Sequence, residues 1–324
     1  MLNAAKIAKN IMGGGAITPG QALALFDCGK IELFNGANSI REHFKGNRVK
    51  LCGIINAKSG SCSENCAFCA QSLRHKAKIE KYPLVDGKAV SEALGDAQKS
   101  GVACFGIVTS GNALSDKELE QICLFVSENK KRGIKISASV GALGYEALAK
   151  LKKAGLKRFH HNIETAESYF PGVCSSHTFA DRLATARAVK AAGLELCCGG
   201  IFGLGESRAQ RVEFGMALRA LDPDSIPLNF LNPIEGTPFS SKEPLGADEI
   251  LKSIAVMRYI LPDKDINVCG GREVNLRDLQ SWIFFAGASG LMTGNYLTTP
   301  GRGAAQDIKM IQDLGFTVDR EGKR

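Results

Sequence analysis

Three cysteines fall within eight residues, Cys62-Ser-Glu-Asn-Cys66-Ala-Phe-Cys69. Thiolates three and four residues apart can converge on one soft metal centre. Three such ligands leave one iron of a four-iron cluster open to an outside ligand. A structural zinc would instead need a fourth protein donor, and such sites usually pair two separated Cys-x-x-Cys knuckles. No second knuckle is present, so the spacing favours the cluster over zinc. The other cysteines, at positions 28, 52, 104, 123, 174, 197, 198 and 269, are spread through mostly apolar surroundings. The odd total of 11 in 324 residues speaks for metal binding or catalysis over a disulfide scaffold. So does residues 1–15, which read as an amphipathic helix carrying Lys6 and Lys9 and not as a signal peptide.

The elements that must position the triplet show in the hydrophobic rhythm. From about residue 50, short apolar runs alternate with helical patterns, as in repeated βα units. Strands are expected at 50–55, 103–108, 135–140, 158–163, 194–201, 225–230, 265–269 and 290–293. Helices are expected at 91–100, 116–131, 145–154, 179–192, 207–221 and 247–259. Gly101, Gly133, Gly155 and Gly193 each follow a helical stretch, as helix stops do. Eight units over ~250 residues fit an α/β fold of the (βα)8 TIM-barrel type. The barrel would span 49–318, after a helical N-terminal extension at 1–48 and before a charged tail at 319–324. An open doubly wound sheet is the competing architecture, but no Gly-rich dinucleotide fingerprint opens the first helix. The run Gly199-Gly-Ile-Phe-Gly-Leu-Gly205 reads first as a tight turn with its backbone packed against a neighbour, and only weakly as a phosphate site. In the barrel, the cysteine triplet lies just past the first strand, on the C-terminal face where barrel enzymes keep their active sites.

Composition narrows the function. Lys plus Arg (41) minus Asp plus Glu (33) gives +8, with 44% hydrophobic and 23% charged residues. That excludes a disordered or fibrous chain. Basic residues alternate with acidic ones instead of forming a patch, so nucleic acid is not an expected partner. The apolar run 282–292 falls well short of the ~20 residues of a membrane helix, and a cytoplasmic protein without membrane contact is expected.

Cys62-x-x-x-Cys66-x-x-Cys69, with Phe68 before the last cysteine, resembles the signature of radical S-adenosylmethionine enzymes. Within that superfamily the chain is most similar to the biotin synthases, over roughly 40–318. The segments that carry the resemblance are Cys69-Ala-Gln-Ser72, Phe159-His-His-Asn-Ile-Glu-Thr165, Cys197-Cys-Gly-Gly-Ile-Phe-Gly-Leu-Gly-Glu206, Ile226-Pro-Leu-Asn229, Gly271-Arg-Glu273 and Tyr296-Leu-Thr-Thr-Pro300. The resemblance implies a 4Fe-4S cluster on Cys62, Cys66 and Cys69 that binds S-adenosylmethionine. It also implies reductive cleavage by a flavodoxin- or ferredoxin-type electron donor, and radical insertion of sulfur into dethiobiotin to form biotin. A homodimer is implied, and catalysis by the cofactors rather than by a protein side chain. Asn162 and Glu164 match positions that hold the ribose hydroxyls, and strand alternation would point both into the barrel mouth. Arg182 matches a helix arginine on the carboxylate of S-adenosylmethionine, although periodicity alone makes it a surface residue. Phe68 is expected against the adenine. His160, where the family more often has Asn, and Asn229 match positions beside the ureido ring of the substrate; an amide both donates and accepts, as a cyclic urea requires. A hydrogenase-maturation or methylornithine-forming relative acting on another small substrate is the alternative. An iron–sulfur carrier without catalysis is the reading from a different class.

The sequence departs from the family at its second cluster. Familiar members hold a 2Fe-2S cluster with three cysteines and one arginine, and these positions correspond here to Gly106, Ser137, Cys197 and Asn267. Only Cys197 survives. Yet Cys104 and Cys269 each lie two residues away along a strand, which keeps a side chain on the same face. Cys52, on the first strand, also falls at an inward-facing position. Cys52, Cys104, Cys197 and Cys269 are therefore expected to converge inside the barrel on an all-cysteine cluster of four-iron type. The competing reading is four small buried hydrophobes. Cys198 should point outward.

Changing Cys62, Cys66 or Cys69 to Ala should abolish cleavage of S-adenosylmethionine. Wild-type production of 5′-deoxyadenosine by any one of the three variants would refute the assignment.

Overall fold

A computed structural model describes residues 3–319. Parallel strands close into a barrel of eight positions: β1 (Arg48–Lys58), β2 (Cys104–Thr109), β3 (Lys135–Ser139), β4 (Arg158–His160), β5 (Glu195–Cys197) continued by β6 (Gly200–Phe202), β7 (Ser225–Phe230), β8 (Asp265–Val268) and β9 (Gly290–Met292). Lys50–Cys52 of β1 pair with β9 and complete the ring. A further strand, β10 (Thr317–Asp319), pairs with the first residues of β1. The sequence forms these strands because both faces are covered, which allows near-continuous apolar runs such as Cys104–Ile107. The helices between them are set by local chemistry. Ser115 with Glu118, Thr178 with Asp181 and Ser207 with Gln210 form reciprocal capping boxes. Gly101, Gly133, Gly155 and Gly193 all take positive φ, the conformation a helix stop needs.

Two strands differ from the sequence pattern. The expected fifth strand, 194–201, is broken after Cys197, because the backbone at Gly199 and Gly200 presses against its neighbours. A Cβ on Gly199 would lie 1.9 Å from the Pro227 carbonyl oxygen, and one on Gly200 would lie 2.1 Å from that of Glu164. The expected fourth strand, 158–163, stops at His160, and Glu164 sits at φ +65°. Strand alternation therefore does not set the direction of Asn162 and Glu164.

Ahead of β1 lie the helices Ala4–Met12, Pro19–Ala24 and Lys30–Lys45. The last of these packs on the barrel helix Ala247–Ile260 so closely that a Cβ on Gly36 would meet Tyr259 Oη at 1.8 Å. Of the expected charged tail, Asp319 ends β10, and 320–324 lie outside the described residues. No helix among the described residues is long and apolar enough to cross a membrane.

A buried ion pair fastens the C-terminal segment to the barrel. Arg272, just after β8, donates to Asp307 Oδ1 (3.0 Å) and Oδ2 (2.9 Å), and both side chains are fully buried. Beside it, Glu273 accepts from Tyr296 Oη (2.9 Å) and from the Arg302 backbone N–H (3.1 Å), which holds the strap 296–302 over the barrel mouth. Removing Asp307 leaves the buried Arg272 only Glu273 (3.2 Å), a carboxylate already shared with Tyr296 and Arg302, so most of its charge goes uncompensated. Asp307→Ala should therefore lower stability by about 3–5 kcal/mol in denaturant unfolding. A loss under about 1 kcal/mol, the range of an exposed pair, would contradict this account.

Candidate active site

The loop that carries the cysteine triplet is stapled at several points. Cys62 N–H donates to Gln71 O (3.1 Å), Leu73 N–H to Cys62 O (2.8 Å) and Cys69 N–H to Cys66 O (2.9 Å). Ala67 is tied to Val173 O (2.8 Å), and Ser72 Oγ donates to Glu64 O (2.5 Å). The three thiols are half-buried and disulfide-free. Burial pushes the Cys69 thiol up to about 11, although the backbone N–H groups of Gln71 and Ser72 pull the other way. Those N–H groups are a ready cradle for a thiolate.

Behind the loop, a cavity of about 290 Å³ runs from the mouth into the barrel. Most of the expected site residues reach it. Phe68, Asn162, His160 and Asn229 line it, together with all four interior thiols, Cys52, Cys104, Cys197 and Cys269. Gly106, Ser137 and Asn267 line it as well. Cys52 and Cys104 are direct register partners, and Cys104 Sγ lies 3.5 Å from Ser137 Oγ. Cys198 is instead buried in the core between sheet and helices. The Cys52 thiol and then the Arg158 guanidinium bring Cys104 down, while burial pushes Cys197 up to about 12 despite Arg158. Arg158 opens β4, is 5% exposed and lines the same cavity, paired with Glu195 (2.8 Å), which Lys135 also holds (3.0 Å).

The polar residues at the mouth are tied to the Gly199–Gly200 break. Gly199 N–H donates to Asn162 Oδ1 (3.1 Å), and Asn229 Nδ2 donates to Gly200 O (3.1 Å). Asn229 Oδ1 also accepts from Gly270 N–H (2.9 Å), which leaves its amide one donor and one acceptor site. Glu164 is held by Arg182 Nη2 (2.6 Å) and by Asn162 Nδ2 (3.4 Å), and Arg182 Nε reaches Asn162 O (2.7 Å). Arg182 thus turns inward and is not a surface residue of its helix. Burial outweighs this arginine and raises the Glu164 carboxyl above its ordinary range. Burial, and then Arg158, bring His160 down to about 4, so its ring is neutral near pH 7.

Residues 58–215 match the Radical SAM superfamily, and residues 227–317 match the Biotin and Thiamin Synthesis associated domain. The chain is 53% identical over 314 residues to the biotin synthase of Citrifermentans bemidjiense, with 96% of each chain covered. It is 55% identical over 288 residues to that of Geobacter sulfurreducens, with 88% of each covered. The chain belongs to the biotin synthase family. Among solved structures, methylornithine synthase superposes with a TM-score of 0.83 at 20% identity, covering 97% of this chain and 98% of that one. HydG, a maturase of the [FeFe]-hydrogenase, superposes with a TM-score of 0.82 at 17% identity, covering 98% and 76%. At such identities the likeness shows the fold alone. The alternative of a maturation or methylornithine-forming enzyme is not favoured.

A biotin synthase is a radical S-adenosylmethionine sulfurtransferase with a 4Fe-4S cluster, and the donor set here fits that group: three disulfide-free thiols on one stapled loop, with backbone N–H groups aimed at one of them. Sequence reasoning passed over three residues that the structure brings to the cavity or the cluster loop. One is Arg158, whose signal was a charge opening an apolar strand. The others are Cys174 and His177, a Cys-x-x-His step after the fourth strand. Cys66, Cys174 and His177 bring their ligand atoms within 4.8 Å of one another.

Proposed function

We propose that the cavity closes dethiobiotin into biotin, with S-adenosylmethionine at the mouth and an all-cysteine second cluster at the base. One observation carries the reading: Phe68 of the cluster loop lines a cavity whose walls also hold four thiols, three of them on β1, β2 and β5 and the fourth just past β8. When bound, the first cluster with S-adenosylmethionine supplies radical hydrogen abstraction, and the second cluster supplies sulfur. The chain's own residues bind, orient and exclude water. Cys62, Cys66 and Cys69 hold the first cluster and leave one iron for the amino and carboxylate groups of S-adenosylmethionine. Phe68 lies against the adenine, and Asn162 and Glu164 take the ribose hydroxyls. Arg182 reaches the carboxylate and, through its 2.6 Å bond, orients Glu164. Neutral His160 donates one hydrogen bond near the ureido ring, and Asn229 meets the same ring with its remaining donor and acceptor. Cys52, Cys104, Cys197 and Cys269 hold the second cluster, four-iron in kind. Arg158 supplies positive charge beside these thiolates. A flavodoxin- or ferredoxin-type protein delivers the electron, and the working unit is a homodimer.

Glu164→Ala should keep its iron but bind S-adenosylmethionine roughly 10–150-fold more weakly, since a charge-assisted hydrogen bond is worth about 1.5–3 kcal/mol. An unchanged dissociation constant would move Glu164 to a purely structural role.

The anaerobically reconstituted protein, given reductant, S-adenosylmethionine and dethiobiotin, should form biotin and carry about eight irons per chain, four for each cluster. The triple variant Cys52→Ala, Cys104→Ala, Cys269→Ala should keep about four irons and still cleave S-adenosylmethionine, yet form no biotin. Wild-type protein with only about four irons would refute the second cluster, as would a two-iron Mössbauer signal that survives in the triple variant.

A further inference from the structure

Cys174 plays no part in the reading above, yet its Sγ lies 3.7 Å from Cys66 Sγ, within sulfur hydrogen-bonding distance. It is 6% exposed and held on several sides. Asn65 Oδ1 lies at 3.3 Å, Ser176 Oγ at 3.4 Å and His177 Nδ1 at 3.4 Å. The hydrogen-bond accounting of this pocket leaves little choice for the Cys174 proton. Cys174 Sγ donates to Asn65 Oδ1, but that oxygen also accepts the backbone N–H groups of Ser175 and Ser176, both at 3.1 Å, so the thiol is the third and longest donor on two lone pairs. The proton of Ser176 Oγ goes to Glu64 Oε2. His177 Nδ1 is 2.7 Å from the same carboxylate oxygen, so it carries a proton and accepts nothing from Cys174. Two further sites are in reach: the neutral Ser176 oxygen, which already accepts the Asn65 backbone N–H at 3.1 Å, and Cys66 Sγ, which as a protonated thiol is the donor to Cys174. When Cys66 ligates iron it is a thiolate with no proton to give, and an anionic acceptor outcompetes a neutral one.

We propose that Cys174 is a positioning residue for the first cluster: its S–H donates to the iron-bound sulfur of Cys66, under the restraint of Asn65, Ser176 and the Glu64–His177 pair. This rests on the assignment of Cys66 as a cluster ligand. A hydrogen bond to a ligand sulfur stabilises the reduced cluster, which carries one more negative charge, more than the oxidised one. The bond therefore raises the reduction potential and makes the cluster easier to charge. It also fixes the rotamer of one of the three ligands.

The test is an EPR-monitored redox titration of the anaerobically loaded full chain, following the signal that changes when S-adenosylmethionine is added. That criterion separates the first cluster from the second. Cys174→Ala should load the same iron but show a more negative potential, with the reduced-to-oxidised ratio at a fixed potential falling roughly tenfold, ~59 mV for one electron. Cys174→Ser keeps an O–H donor and should stay near the wild-type potential. An unchanged potential in Cys174→Ala would overturn the proposal, and so would an equal drop in both variants, since a packing role would move them alike. If S-adenosylmethionine perturbs the cluster only after Cys174 is replaced, Cys174 is itself an iron ligand and the proposal fails. Should neither the wild-type protein nor either Cys174 variant show a signal that responds to S-adenosylmethionine, the assignment of the triplet fails instead, a result distinguishable from the others.

Discussion

The close approach of backbone at Gly199 and Gly200 is the constraint on which the mouth of the barrel depends. Neither position leaves room for a Cβ, because the Pro227 and Glu164 carbonyls stand where it would go. The contact breaks the fifth strand, and the freed peptide groups become anchors. Ile163 and Glu164 donate to Gly199 O at 3.1 and 3.2 Å, and Ile201 donates to Glu164 O at 2.8 Å. Asn162 and Asn229 are bonded to the same two glycines. Two polar groups that face the cavity, Asn162 from the segment after β4 and Asn229 from β7, are thus fixed by one backbone junction. Glu164 adopts its positive φ as part of that junction, a strained conformation held by the surrounding bonds.

The interior of a (βα)8 barrel is ordinarily filled by layers of Val, Ile and Leu. Here Gly106, Ser137 and four cysteines take many of those places, and the volume they give up is the cavity. An emptied core loses dispersion contacts and hydrophobic burial. The stability lies in the surrounding shell instead, where the strand faces turned to the helices carry Phe105, Ile107, Ile136, Phe159 and Leu196. The cation that lines the cavity, Arg158, is tolerated because Glu195 pairs with it and is itself shared with Lys135.

Order at the top comes from polar clasps. Glu273 gathers Tyr296 and the Arg302 backbone, so that the strap carrying Leu297, Thr298 and Thr299 lies along the cavity. On the opposite side, Asn65 and Glu64 sew the cluster loop to the segment 174–177. Both clasps join pieces far apart in the chain, and both hold side chains against a space that cofactors and substrate must fill. Such preorganisation lowers the entropy cost of ordering bound groups.

The sequence by itself determined the βα rhythm, the helix caps and stops, and the cysteine triplet, because each is set by residues a few positions apart: hydrophobic period, capping side chains, ligand spacing. The inward set Cys52, Cys104, Cys197 and Cys269 was also legible, since side chains two apart on a strand share a face whatever the rest of the chain does. Only the tertiary structure decided where strands four and five end, because that depends on a contact between Gly199 and Pro227 across the sheet. It alone turned Arg182 inward onto Glu164, against the periodicity of its helix, and set Arg158 among the thiols. The pairing of Cys66 with Cys174 was equally invisible: the two residues are 108 positions apart, and nothing local to either marks the other. Contacts of that kind arise from closing the barrel, and a linear pattern carries no record of which loops the closure brings together.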